Sequence, residues 1–234
     1  MAKVSKGKIK VVKDGPYLVS GGLPLAKETI DCQKEKDTVK WSSGEKFPAQ
    51  ESYALCRCGH SGAKPYCDGS HMKTGFDGTE TASRKKFGIQ CEEYEGPGAD
   101  LADVPSLCSA ARFCHRGGGT WDLVEKTKDP KAKDLMIQEC ADCPSGRLVA
   151  LDKKTGKPIE PKFEPSIGIV EDPQLKVSGP IRLKGGIPVV AADGTEYEVR
   201  NRVTLCRCGK SKNKPFCDGA HIAAKFKDGD SSIQ

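Results

Sequence analysis

The sequence predicts a mainly β chain with short helices, in which two similar β-rich units flank a different middle segment. Three observations lead there. One phrase is written twice, CRCGHSGAKPYCDGSH at 56–71 and CRCGKSKNKPFCDGAH at 206–221. The repeat extends upstream, where GPYLVSGGLPL (15–25) matches GPIRLKGGIPV (179–189) at Gly, Pro, Gly, Gly and Pro. Around these landmarks apolar residues alternate with polar or small ones, the period of half-buried strands. Internal similarity in register is the mark of a duplicated unit.

Taken in chain order, each Gly-Gly (Gly21-Gly22 and Gly185-Gly186) reads as the turn of a β-hairpin. PVVAADGTEYEVR adds an Asp193-Gly194 turn between two strand-like runs, and a last strand, SYAL or RVTL, leads into each cysteine cluster. Phe76 and Phe226 follow each histidine by five positions and are expected to pack beneath the loop. Gly15 to Cys56 spans 41 positions and Gly179 to Cys206 spans 27, so the first unit holds an insertion of 14, which includes Cys32. The middle segment offers a short helix over 100–113, another over 133–139, and a loop at Gly117–Gly119. KKTGKPIEPKFEPSIGIVEDP, rich in proline and charge, reads as a linker into the second unit. The divisions that follow are 1–87, 88–165 and 166–234.

Composition narrows the chemistry. Hydrophobic residues are 36% and aromatics 6% of 234, too little apolar surface for three generous cores, and the chain carries 12 cysteines. Small units short of core borrow stability from disulfides, metals or association. The basic start, AKVSKGKIKVVKDG, has no apolar core like that of a signal peptide, and no run approaches the length of a membrane span. The expectation is a cytoplasmic protein with reduced thiols available for metal, rather than a disulfide framework. The net charge of +6 is uneven, because residues 91–144 hold 11 acidic and 6 basic side chains. The basic residues are scattered, without an arginine tract or aromatic platform, which argues against nucleic acid and for a solvated face or a patch that steers an acidic protein partner.

The repeated phrase supplies the candidate ligands: Cys56, Cys58, Cys67 and His71 in one copy, Cys206, Cys208, Cys217 and His221 in the other, spaced C-x-C-x8-C-x3-H. Thiolate and imidazole suit iron–sulfur clusters and zinc alike. C-x-C brings two sulfurs together only where the backbone turns. C-x3-H is an i, i+4 pair that one helical turn places on one face. The spacing thus suggests two metal centres in each copy, Cys56 with Cys58 and Cys67 with His71. Asp68-Gly69 fits a turn opening the helix, with the aspartate capping free N–H groups.

The pattern C-x-C-x2-S-x3-P-x-C-D-G-[S/A]-H resembles that of the CDGSH iron–sulfur proteins, the mitoNEET family; Ala220 stands where the first copy has Ser70. The resemblance implies a [2Fe–2S] cluster on three cysteines and one histidine in each copy. It also implies that the two units pair as an intramolecular pseudo-dimer, where eukaryotic members pair two chains. The middle segment is similar to the divergent single-cluster ferredoxin domain that accompanies bacterial CDGSH motifs, through the LC-x5-C of Cys108 and Cys114 and the CPSG of Cys143–Gly146. It would be a small α+β domain, and Cys108, Cys114, Cys140 and Cys143 are its candidates for a third cluster, [4Fe–4S] or [3Fe–4S]. Cys32, Cys91, His60 and His115 are expected to be bystanders.

The function expected is that of an iron–sulfur protein that passes electrons or whole clusters to a redox or cluster-acceptor protein, with acid-sensitive cluster retention. It would be a monomer with internal pseudo-two-fold symmetry and no membrane attachment. Structural zinc, or a redox or iron sensor, are the alternatives. No nucleophile elbow, Walker loop or dinucleotide fingerprint occurs, so an enzyme is not expected.

Overall fold

Strands laid down by one half of the chain are completed by the other half. In the computed structural model, which describes residues 6–33 and 38–233, the first half supplies β1 (Lys8–Val11), β2 (Tyr17–Ser20), β3 (Leu25–Gln33), β4 (Thr38–Lys46) and β5 (Ser52–Leu55). Short helices α1 (Ser70–Lys73) and α2 (Phe87–Gln90) follow. The middle domain contains β6 (Glu92–Tyr94), β7 (Ala99–Asp103), α3 (Thr120–Val124), α4 (Pro130–Asp142), β8 (Leu148–Asp152) and β9 (Pro158–Ile159). The second half adds β10 (Ser166–Asp172), β11 (Val177–Lys184), β12 (Val189–Val190), β13 (Arg202–Leu205) and α5 (Ala220–Ala223). Residues 1–5, the start of the basic stretch, and 34–37, the charged part of the inserted segment, lie outside the described residues.

Three sheets result, ordered β12-β1-β2-β5, β13-β11-β10-β3-β4 and β6-β7-β8-β9. The first two each contain strands of both halves. β1 pairs in parallel with β12 at Ile9↔Val189, and β10 pairs in parallel with β3 at Ile167↔Leu25. Within each half, Ile9 faces Val19 and Ile167 faces Leu183 across a hairpin, and Val19 and Leu183 face Tyr53 and Val203 on the strand entering the cysteine cluster. The two registers are the same, so a pseudo-two-fold axis relates the halves and exchanges the strands β3 and β12. The intramolecular pseudo-dimer is therefore a pair with swapped strands.

The swap explains how a chain poor in apolar residues folds. One core, not two, serves both halves: Ile9, Val19 and Leu25 are buried in the same cluster as Ile167, Leu183 and Val189. Burying each such side chain contributes about 1.5–3 kcal/mol. A separate core in the middle domain collects Leu101, Leu123, Met136 and Leu148 between helix and sheet. The insertion extends β3 and β4 outward, where Trp41 stacks on Phe113 of the middle domain at 4.7 Å between ring centroids.

Three expectations are corrected. Each Gly-Gly is a corner, not a hairpin: β2 and β3 do not pair, and Gly21 and Gly185 at φ 83° and 78° turn the chain out of one sheet into the other. The helix expected over 100–113 is instead strand β7 followed by 3₁₀ turns, because β7 runs between β6 and β8 and buries Ala99, Leu101 and Ala102. Of the expected linker, residues 166–172 form the central strand β10, with Ile167, Ile169 and Val170 buried. The helix expected over 133–139 lies inside α4, and the Asp193-Gly194 turn forms with Gly194 N–H donating to the Ala191 carbonyl at 3.0 Å.

Candidate metal centres

Each cysteine cluster begins where its strand ends. After β5 the chain turns at Cys56-Arg57-Cys58-Gly59, loops out, and returns so that Tyr66 bridges Leu55. The Cys56 N–H donates to the Pro65 carbonyl at 2.8 Å and the Cys67 N–H to that of Ala54 at 2.9 Å. These bonds set the third cysteine beside the first. The second copy repeats them at 2.8 and 2.9 Å, from Cys206 to Pro215 and from Cys217 to Thr204. Inside the loop, buried Ser61 and Ser211 hydroxyls donate to the Tyr66 and Phe216 carbonyls at 2.6 and 2.7 Å. The Lys64–Pro65 and Lys214–Pro215 peptides are cis.

Beyond each third cysteine the Asp-Gly turn opens the helix that carries the histidine. Asp68 accepts from the N–H groups of Gly62 and Ser70 at 2.7 and 2.9 Å, and Asp218 from those of Lys212 and Ala220 at 2.8 and 3.0 Å. Hydrogen bonds from Ser70 and Gly62 hold the Asp68 carboxyl well below the usual carboxylate range. Gly69 and Gly219 take φ 87° and 83°, which admits the tight turn. Their N–H groups point at the Cys67 and Cys217 sulfurs from 3.5 and 3.4 Å, contacts that stabilise a thiolate.

The ligands meet in pairs, as the spacing suggested. Cys56 and Cys58 sulfurs are 3.8 Å apart, and those of Cys206 and Cys208 are 3.9 Å apart. Nδ1 of His71 lies 3.4 Å from the Cys67 sulfur, and Nδ1 of His221 lies 3.6 Å from that of Cys217. Two thiolates on one tetrahedral metal at about 2.3 Å stand about 3.8 Å apart, and a thiolate with an imidazole about 3.5 Å. Each pair thus has the separation of two ligands on one metal. Each copy offers four thiolate and imidazole donors in two close pairs, a set that iron–sulfur clusters and zinc both accept.

The two sites differ in surroundings. His221 is only 4% exposed, and burial, reinforced by Arg207, pushes its pKa down to about 4. His71 is half-buried and its neighbour Met72 is 78% exposed. Within the second site a shared hydrogen bond eases ionisation of Cys206, down to about 7, while burial raises the Cys217 thiol. At the axis the two Cys-Gly turns lie back to back: a Cβ on Gly59 would stand 2.8 Å from the Cys208 carbonyl oxygen, and one on Gly209 2.5 Å from that of Cys58. Tyr17, from the first half, donates to the Cys206 carbonyl at 2.9 Å.

Sequence reasoning missed the residue between the paired cysteines. Arg57 and Arg207 are both 1% exposed and lie over Phe76 and Phe226, at 5.6 and 5.5 Å from the ring centroids. Phe226 packs against Cys206 and Cys208, as expected of a ring beneath the loop. Arg57 donates to the Val12 and Gly78 carbonyls, and Arg207 is paired with Glu171 at 2.8 Å and Asp228 at 2.6 Å. The identical letter in both copies was the available signal.

In the middle domain Cys108, Cys114 and Cys143 line one cavity. Burial raises the Cys114 thiol to about 12, with the neighbouring Cys143 and Cys108 adding to the effect. Cys140 is fully buried on α4 with its sulfur 3.8 Å from that of Met136, and it does not line that cavity. His60 and His115 are exposed, Cys91 is half-buried against the Gly88 carbonyl, and Cys32 is half-buried beside Arg112. No helix among the described residues is long and apolar enough to cross a membrane.

Comparison with known families agrees with this arrangement. The model described as iron-binding zinc finger CDGSH type matches residues 14–72 and 178–222. The model described as divergent 4Fe-4S mono-cluster matches residues 94–153. No curated protein and no solved structure matches the chain. With both sets of candidate ligands inside the first matches and the cysteine-lined cavity inside the other, the chain is an iron–sulfur protein in which two CDGSH-type domains flank a divergent mono-cluster domain.

Proposed function

We propose that this protein binds two [2Fe–2S] clusters, on Cys56, Cys58, Cys67 and His71 and on Cys206, Cys208, Cys217 and His221, and passes electrons or whole clusters to a partner protein. The observation that carries this reading is the pairing of ligands at 3.4–3.9 Å in both copies. A bound cluster supplies a one-electron couple, and a neutral histidine in place of a fourth thiolate raises its potential. The chain's own contribution is to orient the ligands: backbone N–H groups face the sulfurs, the Asp-Gly turn sets the histidine, and Nδ1 faces the metal position, leaving Nε2 as the proton-accepting atom. A third cluster, [4Fe–4S] or [3Fe–4S], is held by Cys108, Cys114 and Cys143, with Cys140 outside the ligand set. The chain works as a monomeric carrier rather than an enzyme, in keeping with a pseudo-dimer core already complete within one chain. Incubating the loaded protein with an apo-ferredoxin, beside a redox titration, tests the reading. Reversible cycling or movement of the visible chromophore is expected; a chromophore that neither cycles nor moves would sink it.

Acid should remove the clusters in two steps. The first site, whose His71 is only half-buried, should bleach before the second, where burial holds His221 neutral down to about 4. His221 binds its proton more readily when unfolded, so its contribution is complete above about pH 6.5 and falls as pH drops towards 4, by roughly 3 kcal/mol in all. The check is visible absorbance against pH for the wild type and for His71→Cys combined with His221→Cys. Unchanged acid sensitivity in the double variant would show that the histidines are not the cause.

A further inference from the structure

We propose that the middle domain acts as a built-in partner that closes the second CDGSH site, leaving the first site as the one open to other molecules. This rests on the cluster-binding reading above and concerns which of the two sites can exchange. The covering element is the loop 106–112. A Cβ placed on Gly219 would meet Ala110 Cβ at 3.3 Å and the Cys108 carbonyl oxygen at 3.6 Å, whereas one on Gly69 would meet only its own helix, at Met72 Cε. Asn213 Nδ2 donates to the Ser106 carbonyl at 2.9 Å. Residue 63, the equivalent of Asn213, is an alanine with no such donor. From the other side the N–H groups of Thr81 and Ala82 donate to the Lys214 carbonyl at 2.8 and 2.9 Å. Sequence differences between the copies therefore match a difference in cover.

The loop is held in place rather than relaxed. Ala110 and Arg112 take φ 57° and 66°, the left-handed region that residues with a side chain avoid. What fixes them is a bidentate ion pair, Arg112 to Asp172 of β10 at 2.6 and 3.0 Å, with Asp172 only 2% exposed. Arg112 is thus a positioning residue for the cover. Removing it should let the loop leave while the ligands stay.

The test follows iron release from the loaded protein to a ferrous chelator in dithionite. Two phases are expected from the two CDGSH sites, the second slower by about tenfold because the loop must open before the chelator enters. Cys217→Ser should delete the slow phase and Cys67→Ser the fast one. Arg112→Gln and Asp172→Asn should speed the slow phase and leave the fast phase alone, and should raise amide hydrogen exchange over 218–222 but not over 68–72. A single phase from two filled sites, or a slow phase that neither variant moves, would overturn the proposal while leaving cluster binding intact. Protein that holds no iron at either site would overturn both.

Discussion

In a chain that lacks residues 1–87 the second CDGSH unit is expected not to fold. Removing them takes away β1 to β5, and with β3 goes the partner of β10 on one side. It also strips Ile9, Val11, Tyr17, Val19, Leu23, Leu25 and Leu55 from the shared core. At about 1.5–3 kcal/mol each, these seven side chains come to roughly 10–20 kcal/mol, against about 5–15 kcal/mol for the whole stability of a typical domain. In residues 88–234 the amide resonances of 166–234 should be undispersed, and any cooperative transition should belong to the middle domain with its separate core. Dispersed resonances from 166–234 would mean that the second half owns its core and that the strand exchange is dispensable. The same reasoning makes the two CDGSH domains, distinct as sequence repeats, one unit of folding.

Replacing Arg207 by leucine is expected to cost about 3–5 kcal/mol, because it strands a buried carboxylate. Glu171 is 1% exposed; burial already raises its pKa to about 7 although Arg207 lies 2.8 Å away. Without the guanidinium that carboxyl should be driven further towards the neutral form. Its pKa then stands above the wild-type value of about 7, so the loss relative to wild type grows as pH rises through about 7 and shrinks on acidification. In a chain of this size the drop in melting temperature should be roughly 6–20 °C at neutral pH. Arg57→Leu makes the control, since Arg57 bonds two carbonyls and no ion pair to it occurs among the described residues. It should be milder and nearly independent of pH. Equal losses in both variants, or no loss for Arg207→Leu, would show that the buried ion pairs are not what holds the second loop.

The pairing of the candidate donors was legible because spacing carries geometry directly. C-x-C, C-x3-H and the Asp-Gly turn each have one local geometry that unites the donors, and duplication removed the ambiguity of a single match. Strand content was legible from alternation. The exchange of β3 and β12 was not, because alternation tells which face of a strand is buried and not which strand lies beside it. Gly21-Gly22 looks alike in a hairpin and in a corner, and only the pairing of β2 with β5 and of β3 with β10 separates the two. The strand β10 was hidden by its prolines and charges upstream, although Ile167, Ile169 and Val170 are buried. Arg57 and Arg207 escaped notice because a charged letter reads as surface until a carboxylate or carbonyl is found to face it. The inequality of the two sites depends on a loop some hundred residues away in sequence, so Asn213 against Ala63 had no meaning until Ser106 was found to face it.

Cluster binding at both copies is tested most directly by measuring iron, acid-labile sulfide and zinc per chain in freshly purified protein, with the visible spectrum taken on the same sample. About two iron and two sulfide for every filled [2Fe–2S] site, over what the middle domain holds, with one site's worth of each lost in Cys56→Ser and in Cys206→Ser, is the expected result. One zinc per motif, with no sulfide and no visible absorbance, would contradict it.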